Sequence, residues 1–160
     1  MDIAEQLPHF ADPAFQKHTA IRNRYRLSVA CQIRKAEVEV SATIDASCHC
    51  GAVHLAIDAP PEALTDCNCS LCRRYGVLWA YYSPKQVKIV AAPGATDVYL
   101  WGERSIEFHR CKNCGCITHW APVDAHCDRM GVNARLMQPA ILRPLRIRKL
   151  DGAVTGQYLR

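Results

Sequence analysis

The sequence lacks any long apolar segment, and this absence excludes a membrane-spanning helix. The longest apolar run, from Gly76 to Tyr82, is far shorter than the roughly 18 residues that a membrane span needs. The first residues include Asp2 and Glu5, where a secretory signal peptide would place basic residues before an apolar stretch. We therefore expect a cytoplasmic protein that makes no contact with a membrane.

Helix signals are scarce too, and this favours a mainly β fold. Short stretches rich in alternating apolar residues are separated by proline and glycine turns, a pattern typical of antiparallel sheets. One helical turn is expected from Ser70 to Tyr75, capped by Ser70, and another short helical piece near Ala140. The predicted strands start at Ala36 and Ala52 and continue with Gly76–Ser83, Val87–Ala91, Ala95–Trp101, Ile106–Arg110, Ile117–Ala121, a segment from Met130, and Arg146–Leu150.

A change of pattern near residue 36 divides the chain into two predicted parts. Residues 1–35 show no sustained apolar period, so we predict an irregular or partly helical N-terminal extension there. Residues 36–160 form the predicted β domain. Its end is basic, because residues 129–160 hold seven Lys/Arg and one acid. This basic segment either binds an acidic partner such as nucleic acid or is a solvated surface; the candidate contacts are Arg143, Arg146, Arg148 and Lys149.

Cysteine is the residue that the chain has in excess, with ten in 160 residues. In a reducing compartment such clustered thiols are more typical of metal ligands than of disulfides. Cys67, Cys69 and Cys72 lie within six positions, and three soft ligands at one point indicate a metal such as Zn²⁺. Four protein ligands make a closed structural site, whereas three leave a position open. A distant donor that closes this site remains an alternative; the candidates are Cys31, Cys116, Cys127 and the seven histidines.

Two further cysteine pairs predict a second metal site. Cys48 and Cys50 are followed by a glycine, and so are Cys111 and Cys114, about 60 residues later. Because side chains two apart on an extended chain point to the same side, Cys48 and Cys50 can present both sulfurs to one ion. The second pair has the spacing of a zinc knuckle, and the four together predict a structural Cys₄ site. A redox role for the second pair is disfavoured because no helix follows it.

This cysteine order resembles that of the glutathione-dependent formaldehyde-activating enzyme family, whose domain is shared with centromere protein V. The resemblance covers roughly residues 47–150 and includes the motifs C-x-C-G, C-x-C-S-x-C-R-R, C-x-x-C-G and V-N-A-R-L. It implies an Mss4-like β fold with two zinc ions, one structural and one catalytic. The implied catalytic ligands are Cys67, Cys69 and Cys72, and the implied reaction is the condensation of glutathione with formaldehyde, as in a carbon–sulfur lyase.

The charge of a three-thiolate site indicates what such a site does. Zn²⁺ with three thiolates is formally −1, so it polarises a carbonyl poorly and is better suited to holding a fourth sulfur as a nucleophilic thiolate. Arg73 and Arg74 follow the cluster and are candidates to bind the carboxylates of glutathione or to offset the negative charge. The alternative for both arginines is a solvated turn.

The sequence gives weaker evidence for the other residues of the pocket. Trp79, Tyr81 and Tyr82 are candidates to line the pocket, with core packing as the alternative for at least two of them. His49 and His109 lie beside structural ligands in the sequence, so an acid role for either is disfavoured. The sequence identifies no general acid.

Two other functions compete with the enzyme interpretation. A zinc-stabilised module that binds nucleic acid or a protein partner through the basic end is the main alternative, and its binding would weaken with salt. A methionine-sulfoxide reductase is disfavoured because the three-cysteine cluster would sequester the thiols that such an enzyme needs free. For an open site, Cys116 and Cys127 are predicted to pack as small apolar residues, with Cys127 in a strand.

Overall fold

The computed structural model describes residues 43–160. The predicted N-terminal extension over residues 1–35 lies outside the described residues, and so does Cys31. Most of the strand predicted from Ala36 falls there too. No helix among residues 43–160 is long and apolar enough to cross a membrane.

The described residues form a mainly β structure, and the predicted fold class is confirmed. Two four-residue helices, α1 (Cys72–Tyr75) and α2 (Pro139–Leu142), interrupt the strands. Single 3₁₀ turns lie at Pro84–Gln86 and Ala134–Leu136. The strands are β1 (Ile44–Ser47), β2 (Val53–Ile57), β3 (Leu64–Cys67), β4 (Trp79–Tyr82), β5 (Val87–Ala91), β6 (Thr96–Leu100), β7 (Ile106–Cys111), β8 (Ile117–Pro122), β9 (Met130–Asn133), β10 (Ile147–Asp151) and β11 (Gln157–Tyr158).

The strands form two sheets. The smaller sheet has the order β1-β2-β5, and the larger has the order β11-β10-β3-β4-β9-β8-β7-β6. All neighbours pair antiparallel except β3 and β10, which run parallel with Cys67 opposite Leu150. This pairing places a segment near the end of the chain beside the first cysteine of the three-cysteine cluster.

Alternation of buried and exposed residues explains why the predicted strands form. In β2 the side chains of Val53, Leu55 and Ile57 are fully buried, while His54 and Ala56 between them are half-buried. This period-two pattern directs one face of the strand into the core. A second cluster contains the three metal-site cysteines together with aromatic side chains, so the core also positions the site.

Several predicted boundaries were wrong for local reasons. The strand expected from Gly76 begins only at Trp79, because Gly76 has a left-handed backbone (φ +62°) that ends α1. Leu71, not Ser70, is the N-cap of α1, and no side chain caps it. The strand β3 was missed because it has four residues and no clean alternation, and β11 because it has only two.

Candidate metal centre

Four cysteine sulfurs meet where the smaller sheet approaches the hairpin β7–β8. One sulfur from each of Cys48, Cys50, Cys111 and Cys114 lies within 4.8 Å of the others. The Cys48–Cys50 and Cys50–Cys111 sulfur distances are both 3.6 Å, too long for a disulfide. A tetrahedron with Zn–S bonds of about 2.3 Å has S–S edges of about 3.8 Å. The donor set and its spacing therefore fit a closed zinc site.

Two tight turns, not an extended chain, bring these sulfurs together. The expectation that Cys48 and Cys50 share one side of a strand was wrong, because β1 ends at Ser47 and the chain turns there. The Gly51 N–H donates to the Cys48 carbonyl at 3.0 Å, and Gly51 has φ +76°. Gly115 closes the second turn with the same left-handed backbone. Turns of this kind point N–H groups at sulfur, as the Val53 N–H does toward Cys48 Sγ at 3.3 Å.

The second cluster consists of the sulfurs of Cys67, Cys69 and Cys72, also within 4.8 Å of one another. Cys67 ends β3, Cys69 lies in the loop after it, and Cys72 begins α1. All three side chains are buried. Among the described residues, no fourth cysteine, histidine or carboxylate joins this cluster. Three thiols without a fourth protein donor fit a metal that keeps one position open.

Hydrogen bonds support thiolate charge in this cluster. The Cys69 N–H points at Cys67 Sγ (3.5 Å), the Cys72 N–H at Cys69 Sγ (3.4 Å), and the Trp79 indole N–H at Cys72 Sγ (3.2 Å). Burial raises the pKa of the Cys67 and Cys72 thiols. Burial also opposes ionisation of Cys69, but hydrogen bonds from the Cys72 and Leu71 N–H groups lower its pKa overall.

An open cavity of about 470 Å³ lies directly over the three cysteines. Its walls are mainly apolar and include five aromatic side chains, and Glu103 is the one charged side chain among the described residues that line it. Of the three aromatic candidates, Trp79 and Tyr81 line it, while Trp79 and Tyr82 are also buried in the two core clusters, in agreement with core packing for at least two of them. Most of the wall could not be seen in the sequence, because it comes from distant strands and a hairpin loop. The lining residues that were not predicted are Trp101, Gly102, Glu103, Ser105, Ile106, Phe108, Trp120 and Gly152.

The turn after β10 closes one side of the cluster. A Cβ added to Gly152 would lie 2.5 Å from Cys67 Sγ, so only glycine fits there without a shift. The Asn68 side chain holds this turn, because it donates to Asp151 Oδ1 (2.8 Å) and accepts from the Ala153 N–H (2.9 Å). Asn68 lies between two ligands in the sequence and was not singled out by the cysteine pattern.

The leftover cysteines behave differently from each other. Cys116 is half-buried against the small core of Cys48, Val53 and Cys111, so it packs as predicted and does not join either cluster. The prediction for Cys127 was wrong: this residue is exposed in the loop between β8 and β9, where its N–H closes a turn onto the Asp124 carbonyl. Neither sulfur belongs to the three-cysteine cluster.

The two arginines after the cluster are exposed on α1 and do not line the cavity. Arg74 donates to the Ser70 carbonyl at 2.7 Å and lines an adjoining groove together with Tyr99 and Trp101. Trp101 lines both the groove and the cavity, so the two adjoin at this side chain. Arg73 lines neither.

The histidine candidates lie away from the cavity lining. His109 stacks on His119 with ring centroids 4.2 Å apart, and its Nε2 is 3.4 Å from a Glu107 carboxylate oxygen. Burial lowers the pKa of His119 to about 3, so that ring is neutral. Neither these rings nor His49 lines the cavity over the three cysteines.

Part of the basic C-terminal segment is paired within the domain. Lys149 makes an ion pair with Asp66 at 2.5 Å, and the Arg148 guanidinium lies 3.5 Å from the ring centroid of Tyr158. These contacts join β10 to β3 and β11. Nucleic-acid binding by this segment stays a prediction.

Comparison with known proteins agrees with this geometry. The model of a family described as glutathione-dependent formaldehyde-activating enzyme matches residues 43–145. A crystal structure of a protein from Rhodobacter sphaeroides is similar at a TM-score of 0.55 and 26% sequence identity. The match covers 65% of this chain and 99% of that chain.

Proposed function

Because this chain belongs to the glutathione-dependent formaldehyde-activating enzyme family, we propose that it joins the glutathione thiol to formaldehyde at the three-cysteine cluster. The observation that carries this proposal is the open cavity over three buried sulfurs that have no fourth protein donor among the described residues. A site closed by protein would leave no position for a substrate thiol.

Each cluster has its own part in this proposal. Cys48, Cys50, Cys111 and Cys114 would hold a structural zinc, and Cys67, Cys69 and Cys72 would hold a second one. Zinc bound by three thiolates would keep a fourth sulfur ionised at neutral pH. The aromatic side chains beside the cluster limit the access of water to that position.

The reaction is a balanced addition without oxidation or reduction. A lone pair on the glutathione sulfur forms the new S–C bond, the π electrons of the carbonyl move to oxygen, and that oxygen takes one proton. The thiol loses one proton when it ionises, so no net proton is consumed. The reverse reaction breaks the same C–S bond, which is the chemistry of a carbon–sulfur lyase.

Tyr81 is our candidate for the proton donor. Its side chain lines the cavity together with the three cysteines, and burial raises its pKa to about 12. The phenol therefore stays protonated at neutral pH and can donate to an oxygen that becomes negative. Trp120, edge-on to the Tyr81 ring at 6.1 Å, and the Arg129 guanidinium, 4.1 Å from its centroid, fix the ring's position.

X-ray absorption of the zinc-loaded full chain, titrated with glutathione, tests this function. We expect one of the two zinc ions to gain a sulfur ligand on titration. Labelled formaldehyde should then give S-hydroxymethylglutathione faster than in buffer, as followed by ¹³C NMR. If both ions already have four protein ligands before glutathione is added, the thiol cannot enter, and the binding-module function becomes the better account.

Arg74 gives a specific prediction for glutathione recognition. When the glutathione sulfur lies at the three cysteines and its peptide part extends out of the cavity past Trp101, the glutathione carboxylates reach the groove that Arg74 lines. Because Arg74 is exposed, we expect Arg74→Gln to weaken glutathione binding only about two- to fivefold, as measured by calorimetry.

Arg73→Gln is the matched control, since it removes the same charge one residue away and should leave the affinity unchanged. Equal weakening by both variants would indicate a general charge effect and would contradict a specific contact with Arg74.

A further inference from the structure

The aromatic part of the cavity extends beyond what a formaldehyde adduct can fill, and we infer that the aldehyde handled here carries an apolar alkyl or aryl group. This inference rests on the proposed function: it keeps the thiol and its addition to a carbonyl, and it extends the aldehyde from formaldehyde to larger ones. It assigns the space beside the cysteines to the substituent on the carbonyl carbon.

The walls of this space are apolar on several sides. Trp79 and Phe108 pack at 6.2 Å between ring centroids and are buried, so they form a rigid floor behind the cysteines. Tyr81 and Trp120 form a second wall, and Ile106 lies where β7 begins. Ring pairs held in this way leave a fixed apolar surface open to a ligand.

The charges at the cavity exclude glutathione's own carboxylates from this space. Glu103 is the one charged side chain among the described residues that line it, and no cation lies among them. A carboxylate placed there would lose its hydration without gaining a cation. The peptide part of bound glutathione therefore extends past Trp101 toward Arg74. The apolar walls remain free for the substituent of the aldehyde.

The volume of the cavity favours larger aldehydes over formaldehyde. A formaldehyde adduct adds one carbon and one hydroxyl to the sulfur, and most of the cavity of about 470 Å³ would stay filled with water. Each methylene buried against such walls strengthens binding about fourfold, and a phenyl ring by roughly tenfold or more. The addition balances as it does for formaldehyde: the S–C bond forms and the carbonyl oxygen takes one proton.

Stable thioethers test the inference by binding alone. S-Methylglutathione resembles the formaldehyde adduct, and S-benzylglutathione resembles that of an aryl aldehyde. Calorimetry on the zinc-loaded full chain should show S-benzylglutathione binding at least about tenfold more tightly than S-methylglutathione. Equal affinities would overturn the inference.

A second pair of probes separates this inference from the proposed function. Phenylmethanethiol and ethanethiol again compare a group that carries an aryl ring with a short alkyl group, but without the peptide. If neither glutathione thioether binds but phenylmethanethiol binds at least tenfold more tightly than ethanethiol, the apolar pocket stands and glutathione is the wrong thiol. If glutathione binds and neither pair discriminates, the thiol stands and the larger aldehyde is wrong.

Variants locate the effect. Ile106→Asn places an amide in the apolar wall and should reduce the preference for the benzyl probe at least about fivefold. Ile89→Asn is the matched control, because Ile89 is exposed on β5 and does not line the cavity, and it should leave the preference intact. Trp101→Ala, at the exposed rim, provides a second test if Ile106→Asn fails to fold. A preference that survives in both pocket variants would contradict the assignment.

Discussion

Replacing Cys48 by serine is expected to abolish the folded domain, whereas replacing Cys69 by serine should leave a folded domain that has lost one metal. The closed cluster joins the end of β1 to the β7–β8 hairpin, and the core around it is small. Zinc binding in such sites is worth about 10–16 kcal/mol, comparable to the roughly 5–15 kcal/mol net stability of a whole domain. The three-cysteine cluster lies within a larger core that contains several aromatic side chains, so we expect the fold to depend less on its ion.

Metal analysis and thermal unfolding of the two variants distinguish these outcomes. Wild-type protein should contain two zinc ions, and Cys69→Ser protein should contain one and still unfold cooperatively. Cys116→Ser and Cys127→Ser are matched controls that should keep both ions. A Cys69→Ser chain that unfolds as badly as Cys48→Ser would contradict the assignment of a structural and a catalytic cluster.

Replacing Gly152 by valine should weaken metal binding at the three-cysteine cluster while binding at the Cys₄ site stays unchanged. Even the first carbon of a new side chain would lie 2.5 Å from Cys67 Sγ and 3.3 Å from Cys69 Cβ. Either the turn or the sulfur must move, and overpacking of this kind costs about 1–3 kcal/mol, or roughly 5- to 150-fold in metal affinity. The backbone φ of Gly152 is not in the left-handed region, so the effect is steric.

Ala153→Val is the matched control, because it adds two methyl groups one residue further along the same turn at an exposed position. Competition with a chromogenic chelator measures the affinity of the more labile ion in each variant. Unchanged affinity in Gly152→Val would mean that the turn after β10 does not confine Cys67.

The three-cysteine cluster could be predicted because its ligands are close in sequence. Cys67, Cys69 and Cys72 lie within one short loop and helix start, and no long-range packing is needed to bring them near each other. The open fourth position could not be derived in the same way. It depends on the positions of Cys116 and Cys127. The structure places Cys116 against the small core around Cys48 and Cys111, and Cys127 in an exposed loop.

The strands with strong alternation were also predictable, and the connections between them were not. The strand β2 was visible from its period of two, whereas β3 has buried neighbours in Leu64 and Thr65 and looks irregular. Its parallel partner β10 starts more than 80 residues later, and nothing local to either strand specifies that pairing. The cavity walls share this property, since Trp101, Phe108 and Trp120 reach the cysteines only through the sheet order.

The pairing of β3 with β10 has a consequence during protein synthesis. Asn68 and Ala153, whose contact secures the turn against Cys67, are 85 residues apart. At roughly 5–20 residues per second, the ribosome needs several seconds to add the segment that completes the cluster. Throughout this interval the three thiols are on a nascent chain without their neighbours from β10, where they are open to oxidants and to metals other than zinc. We therefore expect selective zinc binding at this site only after translation has passed Gly152.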